Sequence, residues 1–398
     1  MRRYDLITPE GTRDYLFDEC YAKRETEKKI HSIFKRMGYA ELITPGLEFY
    51  DVFNLNSRYF PQEELYKLTD NKGRLLVLRP DSTMPIARVV ATRLKDAMLP
   101  LRLFYNQTVY RFEPSLKGRS DEIVQTGIEL LGSSSRMADM EIISAAVSVL
   151  SSVGADYSLE LGDVGIFREL MHRLNATPAQ KEEIRSLIEE KNYPALNDLL
   201  DRMGDNKITN ALKKLPTLFG GVEVFEKASA LFQDARIEML LDHLKELYLE
   251  VCELNQNGRI TVDLGLVNKT DYYTGLVMKG YLAGCGEEVL AGGRYDKLLS
   301  EFGYDIPAVG MAVNVDAVAG VSAKLEKPQL RIPDVLISAA EGCEAQAIAV
   351  AEELRSEGKV VEHALFSDLE LVREYARDRK IGKIIFVSEE GMEVDANE

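Results

Sequence analysis

Three clusters of polar residues hold most of this sequence's capacity for chemistry. The first is Leu78-Arg79-Pro80-Asp81-Ser82-Thr83. The second joins Tyr110-Arg111-Phe112-Glu113 to Gln125-Thr126-Gly127-Ile128-Glu129. The third joins Asp271-Tyr272-Tyr273 to Gly292-Gly293-Arg294-Tyr295-Asp296. Carboxylates, phenols, an amide and guanidinium groups hold small polar molecules by charge and directed hydrogen bonds. At alternate positions of a strand they project from one face of a sheet, as the floor of a pocket. Surface ion pairs could produce one such cluster; three favour a pocket.

Other chemistries lack their signatures. There is no GxxxxGK[ST] loop, Gly284-Cys285-Gly286 is not continued to a third glycine, and HExxH is absent. The four histidines, His31, His172, His243 and His363, are scattered and read as surface or core residues. Cys20, Cys252, Cys285 and Cys343 form no CxxC pair, so reduced, mostly buried thiols are expected, with no metal site and no cofactor.

The elements that must position the clusters follow from periodicity. Asp18–Met37 has the spacing of an amphipathic helix, with Gly38 as a left-handed cap. Strands are expected at Glu41–Thr44, ending at Pro45, and at Leu75–Leu78, Leu101–Arg111, Glu122–Leu131 and Tyr157–Leu161; a helix is expected at Asp139–Val153. From about 162 to 258 the pattern is helical, with an apolar stripe through Leu240, Leu244, Leu247, Val251 and Leu254 that ends near Asn257-Gly258. Strands return at Arg259–Leu264, Leu276–Leu282, Glu287–Ala291 and Val309–Val315. This order predicts an α+β class: an antiparallel sheet with flanking helices and a helical insertion over 1–325. Lys324–Pro333 reads as a linker. Residues 333–398 then alternate β-α-β-α-β as a small parallel α/β unit, with a frayed acidic tail in the last ten residues.

Composition narrows the function classes. The net charge is −16 over 398 residues, and residues 331–398 alone carry −8. Affinity for nucleic acid rests on clustered Lys and Arg, so an acidic terminal module should repel an RNA backbone. The longest uncharged helical stretch, Ile142–Ala155, has 14 residues, short of the ~20 needed to span a membrane. MRRYDLITPEG lacks the apolar core of a secretory signal, so a cytoplasmic protein is expected.

The clusters also carry a family resemblance. Pro45 after a helix and strand looks like the first motif of class II aminoacyl-tRNA synthetases, which builds their dimer interface. Arg111-Phe112-Glu113, followed by Lys117-Gly118-Arg119, is similar to their second motif and its loop. Arg79-Pro80-Asp81-Ser82-Thr83, the Gln125–Glu129 strand, Asp271-Tyr272-Tyr273 and Gly292–Asp296 resemble histidyl-tRNA synthetase specifically, in order over roughly residues 5–320. The resemblance implies a class II synthetase-like fold that self-associates, followed by a truncated anticodon-binding-like module. It implies a histidine pocket in which Asp81, Thr83 and Gln125 hold the α-amino group. Glu129 and Tyr273 would read the imidazole, with Tyr272 beside them and Arg111 at the α-phosphate position.

The departures weigh against catalysis. Asn268 aligns with the family's second catalytic arginine and Ala317 with that of the third motif, while Asp121 stands at a usually basic position. Losing one transition-state charge contact costs about 2.7–4 kcal/mol, or about 10²–10³ in rate, so two losses leave little adenylation. Lys269 cannot reproduce the planar fork of an arginine. A synthetase-like core that keeps part of a histidine site without these arginines implies a non-catalytic regulator in histidine biosynthesis. It would act on a separate catalytic subunit, with L-histidine as effector and without tRNA. Two alternatives stand beside this reading, a divergent active histidyl-tRNA synthetase and a non-catalytic scaffold.

Overall fold

Helix α1 (Phe17–Arg36) forms where the spacing predicts it, with Ile30, Ile33 and Phe34 buried on one face. Gly38 follows with φ +82°, a left-handed turn that glycine adopts without steric penalty. The computed structural model describes residues 3–55, 60–112, 120–254, 259–267, 272–326 and 331–396. Glu113, Lys117-Gly118-Arg119, Asn257-Gly258, Asn268-Lys269 and Asp271 therefore lie outside the described residues, as do 327–330 of the expected linker.

Two compact units make up the chain, 1–326 and 327–398. In the first, β1 (Ala40–Glu41), β2 (Leu47–Phe49), β3 (Lys67–Thr69) and β4 (Leu75–Leu78) precede α2 (Thr83–Arg93). Then come β5 (Leu101–Tyr110), β6 (Glu122–Leu131), α3 (Arg136–Ser152) and β7 (Tyr157–Asp163). The helical segment comprises α4 (Val164–Arg173), α5 (Pro178–Glu189), α6 (Tyr193–Arg202), α7 (Lys207–Lys214), α8 (Glu223–Phe232) and α9 (Ala235–Leu254), with β8 (Phe219–Gly220) between α7 and α8. The unit closes with β9 (Arg259–Asp263), β10 (Leu276–Leu282), β11 (Leu290–Arg294), β12 (Ala308–Asn314) and α10 (Val315–Leu325).

Nine strands form one sheet in the order β1-β5-β6-β12-β11-β10-β7-β9-β8. It is mixed, which corrects the antiparallel expectation: β1 pairs with β5, and β7 with β9, in parallel. The second pairing has a topological cause. The chain leaves β7 through the helical segment and returns to β9, a crossover long enough to reverse direction, whereas short turns give antiparallel neighbours. A separate antiparallel sheet, β2-β4-β3, and helix α2 were not read as such from periodicity.

The back of the large sheet buries the main core. Leu159, Leu161, Met278 and Leu282 meet Ile142, Ala146 and Val149 of α3 and Leu241, Leu244 and Leu247 of α9. The helical segment shares this core through Ile184, Leu200 and Leu212. A second core covers part of the front, where α2 (Met84, Ile86, Val90) and Val77 of β4 lie with Leu103, Tyr105, Tyr272 and Tyr295. The candidate site sits at that layer.

The second unit contains β13 (Val335–Ala339), α11 (Glu344–Ser356), β14 (Val361–His363), α12 (Leu369–Asp378), β15 (Lys383–Ser388) and β16 (Gly391–Ala396), with strand order β14-β13-β15-β16. Strand β16 overturns two expectations. Residues 391–396 are an ordered strand rather than a frayed tail, and they pair antiparallel to β15, so the unit is not purely parallel. Met392 and Val394 alternate with Glu393 and Asp395, a period that the acidic composition had obscured. The cysteine expectation is also corrected: Cys343 is buried, Cys252 and Cys285 are partly so, and Cys20 is exposed.

Candidate functional site

Strand β6 supplies the centre of the site. Residues Gln125, Gly127 and Glu129 alternate onto the front face, and Glu129 is 1% exposed. Its Oε1 accepts from Thr83 Oγ1 at 2.8 Å, and Tyr295 donates its hydroxyl to Oε2. Burial pushes the Glu129 carboxyl up to about 8, against the opposing pull of the Tyr295 and Thr83 hydroxyls. Glycines make the room: a Cβ on Gly310 would lie 1.8 Å from Glu129 Oε2, and one on Gly293 would lie 2.7 Å from the Tyr273 ring.

The turn from β4 into α2 brings Asp81 and Thr83 to the same place. Arg79 fixes that turn. Its guanidinium is buried and donates to the carbonyls of Thr44 (2.8 Å) and Thr108 (3.0 Å) and to Gln107 Oε1 (2.8 Å). The arginine of this cluster is thus a structural clamp. Asp81, also buried, accepts from the Met84 backbone N–H at 2.9 Å, and burial raises its carboxyl above the ordinary range. Arg111 opposes that rise, with Nη2 at 3.8 Å from Asp81 Oδ2 while Nε donates to the Pro80 carbonyl at 2.6 Å.

Tyr272 and Tyr273 close the side of the pocket, their rings 4.7 Å apart, and Tyr272 meets Tyr295 edge-on at 5.7 Å. All seven expected site residues, Asp81, Thr83, Arg111, Gln125, Glu129, Tyr272 and Tyr273, thus belong to one region of the front face. Tyr105 and Tyr295 were missed as site residues. Tyr295 was visible in the Gly-Gly-Arg-Tyr-Asp cluster, and Tyr105 could have been found from its alternation with Leu103 and Gln107 along β5. Burial raises both phenols well above their ordinary range, so they stay protonated.

The site retains unspent hydrogen-bonding capacity. Tyr105 OH, Ser82 Oγ and Gln125 Oε1 are buried without a protein partner. Two buried carboxyls, phenols and an amide fit a small ligand that brings ammonium and ring N–H donors.

Among the described residues beside the pocket, positions 317, 121 and 294 supply no uncommitted cation for a phosphate. Ala317, in the first turn of α10, is half-buried against the main core, and its N–H is capped by Asn314 Oδ1 at 3.1 Å. Asp316 beside it pairs with Lys23 Nζ at 2.6 Å and accepts from Val124 N at 2.8 Å. Asp121 is buried, with the Tyr66 hydroxyl donating to it and its backbone N–H bonded to the Gly11 carbonyl at 2.8 Å. Arg294 is engaged by Asp139, Nη2 to Oδ1 at 2.8 Å. Among the described residues of this region, Arg111 is the cation nearest the pocket carboxyls, and no three His, Cys, Asp or Glu side chains are grouped to hold a metal.

Comparison with known proteins identifies the family and the fold. Residues 11–318 match the family model described as histidyl-tRNA synthetase. The ATP phosphoribosyltransferase regulatory subunit of Clostridium acetobutylicum is 40% identical, with 94% of each chain covered. That of Bacillus cereus is 37% identical, covering 98% of this chain and 94% of its own. An ATP phosphoribosyltransferase regulatory subunit/histidyl-tRNA synthetase from Bacillus halodurans superposes with a TM-score of 0.84 at 29% identity, over 97% and 99% of the two chains. A histidyl-tRNA synthetase from Nostoc shares the fold at 0.78 and 19% identity, over 99% and 97%.

Proposed function

This chain belongs to the ATP phosphoribosyltransferase regulatory subunits, within the histidyl-tRNA synthetase family, and we propose that it binds L-histidine as feedback effector for a separate short-form catalytic subunit. The observation that carries the effector reading is the buried Glu129 carboxyl, hydrogen-bonded to Thr83 and Tyr295 and ringed by unspent polar atoms. Histidine supplies what this cradle lacks: an ammonium for Asp81 and Gln125, and ring N–H groups for Glu129 and the phenols. Feedback then follows from linkage, because histidine can inhibit only by favouring one arrangement of the mixed complex over another.

Two partner claims complete the proposal. Self-association uses the α1–β2 region, where Ile43 is 76% exposed, Leu47 and Phe49 are also exposed, and a 540 Å³ cleft runs along α1 beside the buried Glu27. Transfer RNA is not a ligand, since the acidic second unit would repel its backbone.

The experiment is reconstitution of ATP phosphoribosyltransferase activity from purified catalytic subunit and this chain, titrated with L-histidine. We expect activity only in the mixture, inhibition by histidine, and at least a tenfold weaker inhibition with Glu129→Gln (about 1.4 kcal/mol). Unchanged inhibition in that variant would place the effector elsewhere. Robust histidine-dependent ATP–pyrophosphate exchange by this chain alone would show a working synthetase instead.

A further inference from the structure

The floor that carries Glu129 continues across the sheet to a second polar group that the first site does not use. From Tyr105, successive register partners are Gly127, Ala312, Ala291, Lys279, Glu160 and Thr261. Paired residues of neighbouring strands share a face, so the last three project to the same side as Tyr105. Asp263 stands two residues beyond Thr261 on β9, and Tyr281 two beyond Lys279 on β10, both again on that face. Four strand spacings separate β6 from β7, about 19 Å. This group is therefore distinct from the Glu129 pocket, with the small side chains of Ala312 and Ala291 between them.

Its chemistry is unbalanced as it stands. Thr261 is 4% exposed, and its hydroxyl has no hydrogen-bond partner. Glu160 and Asp263 are half-buried neighbours of like charge, and burial raises both carboxyls above the ordinary range. Tyr281 hydrogen-bonds Glu160, and the Gly265 N–H donates to one oxygen of Asp263 at 2.8 Å. Lys279, paired with Glu288 at 2.9 Å, and Lys191 at the α5–α6 turn exert their positive charges on both carboxylates. A divalent cation is disfavoured by those two ammonium groups. A molecule carrying both signs is not.

We propose that Glu160, Thr261, Asp263 and Lys279 form a second binding site, for the zwitterionic head of an α-amino acid. Its ammonium would lie between the Glu160 and Asp263 carboxylates and donate to Thr261 Oγ1; its carboxylate would face Lys279 and Lys191. The side chain would point along the small-residue floor toward β11. This site stands on residues other than those of the histidine pocket and does not depend on that reading.

The test is a thermal-shift screen of the full-length chain against the common L-α-amino acids, followed by calorimetry of any that respond. The variants are Glu129→Gln, Glu160→Gln, Thr261→Val, Lys279→Met and Lys279→Arg. We expect at least one amino acid to bind wild type and Glu129→Gln equally. Its affinity should fall about tenfold or more in Glu160→Gln and Lys279→Met, as loss of a charge-assisted contact implies, and Lys279→Arg should largely restore it. Ligand-free melting temperatures report whether each variant folds; should Glu160→Gln fail to fold, Thr261→Val and Lys279→Met decide the matter. No response from wild type overturns the proposal. So does binding that vanishes in Glu129→Gln and is indifferent to Glu160, Thr261 and Lys279.

Discussion

Replacing Glu129 with glutamine tests the electrostatics of the site without disturbing its shape. The carboxyl titrates near 8 in the folded chain, against an ordinary value of 4.5, because burial disfavours its charged form. Its folded pKa is raised, so its contribution to stability is fully present below about 4.5 and is lost as pH rises through about 8. At 1.36 kcal/mol per unit, the loss between pH 5 and pH 8 is about 3–4 kcal/mol. Solvent screening does not reduce it, since the side chain is 1% exposed. An amide of the same size can still meet Thr83 and Tyr295 but carries no charge at any pH. Wild type and Glu129→Gln should therefore have similar urea midpoints at pH 5, with the variant the more stable by about 3–4 kcal/mol at pH 8. Far-UV circular dichroism is the suitable probe, because the chain has no tryptophan. Every other titrating group is common to both proteins and cancels in the difference. Parallel pH dependences over this range would refute the idea that Glu129 is held neutral by burial. The same variant should bind L-histidine more weakly, so stability and affinity should move in opposite directions at pH 8.

Three further outcomes follow from the geometry. Gly310→Ala would drive a methyl group into the Glu129 carboxyl, so we expect about 2 kcal/mol of destabilisation and loss of measurable histidine binding by calorimetry. Arg79→Met removes the buried donor to the Thr44 and Thr108 carbonyls and to Gln107 Oε1, the last of which keeps the Thr44 N–H and hydroxyl as donors; urea denaturation should show a loss of about 3 kcal/mol. His243 lies 3.6 Å from Asp139, whose carboxylate raises the imidazole above its ordinary pKa of 6.5. Its stabilisation is present below pH 6.5 and lost as pH rises through the raised value, so His243→Gln should lower the melting temperature at pH 6 and little at pH 9.

Part of the site could be read from the chain before folding, because strands place chemistry at alternate residues and Gln125 and Glu129 on β6 obey that period. Asp81, Thr83, Arg111, Tyr272 and Tyr273 are instead placed by a turn, a helix start, a strand end and a loop. Glu129 and Gln125 were assigned to one face from spacing, and both lie there. Arg79 shows the limit of that reasoning. It stands in the first polar cluster, yet its partners are backbone carbonyls near Thr44 and Thr108, and no local pattern announces such contacts. Tyr105 was overlooked for a related reason: an aromatic in an apolar strand looks like core until Gly127, its cross-strand partner, turns out to leave room for the hydroxyl. The parallel pairing of β7 with β9 was hidden too, since direction depends on where a long crossover returns. Strand β16 was misread because charge was weighed above alternation.

The sequence by itself determined the polar inventory, the absence of arginine at positions 268 and 317, the uneven distribution of negative charge, and the class of fold. These depend on residue type and short-range period, which exist in the unfolded chain. The tertiary structure alone decided that Glu129 is buried between two hydroxyls, that Arg79 is a clamp, and that Glu160, Lys279 and Thr261 lie in one register across three strands. Burial and cross-strand register join residues distant in sequence, and both arise only when the sheet closes. Those same contacts set the pKa of Glu129 and hence the charge that any ligand meets.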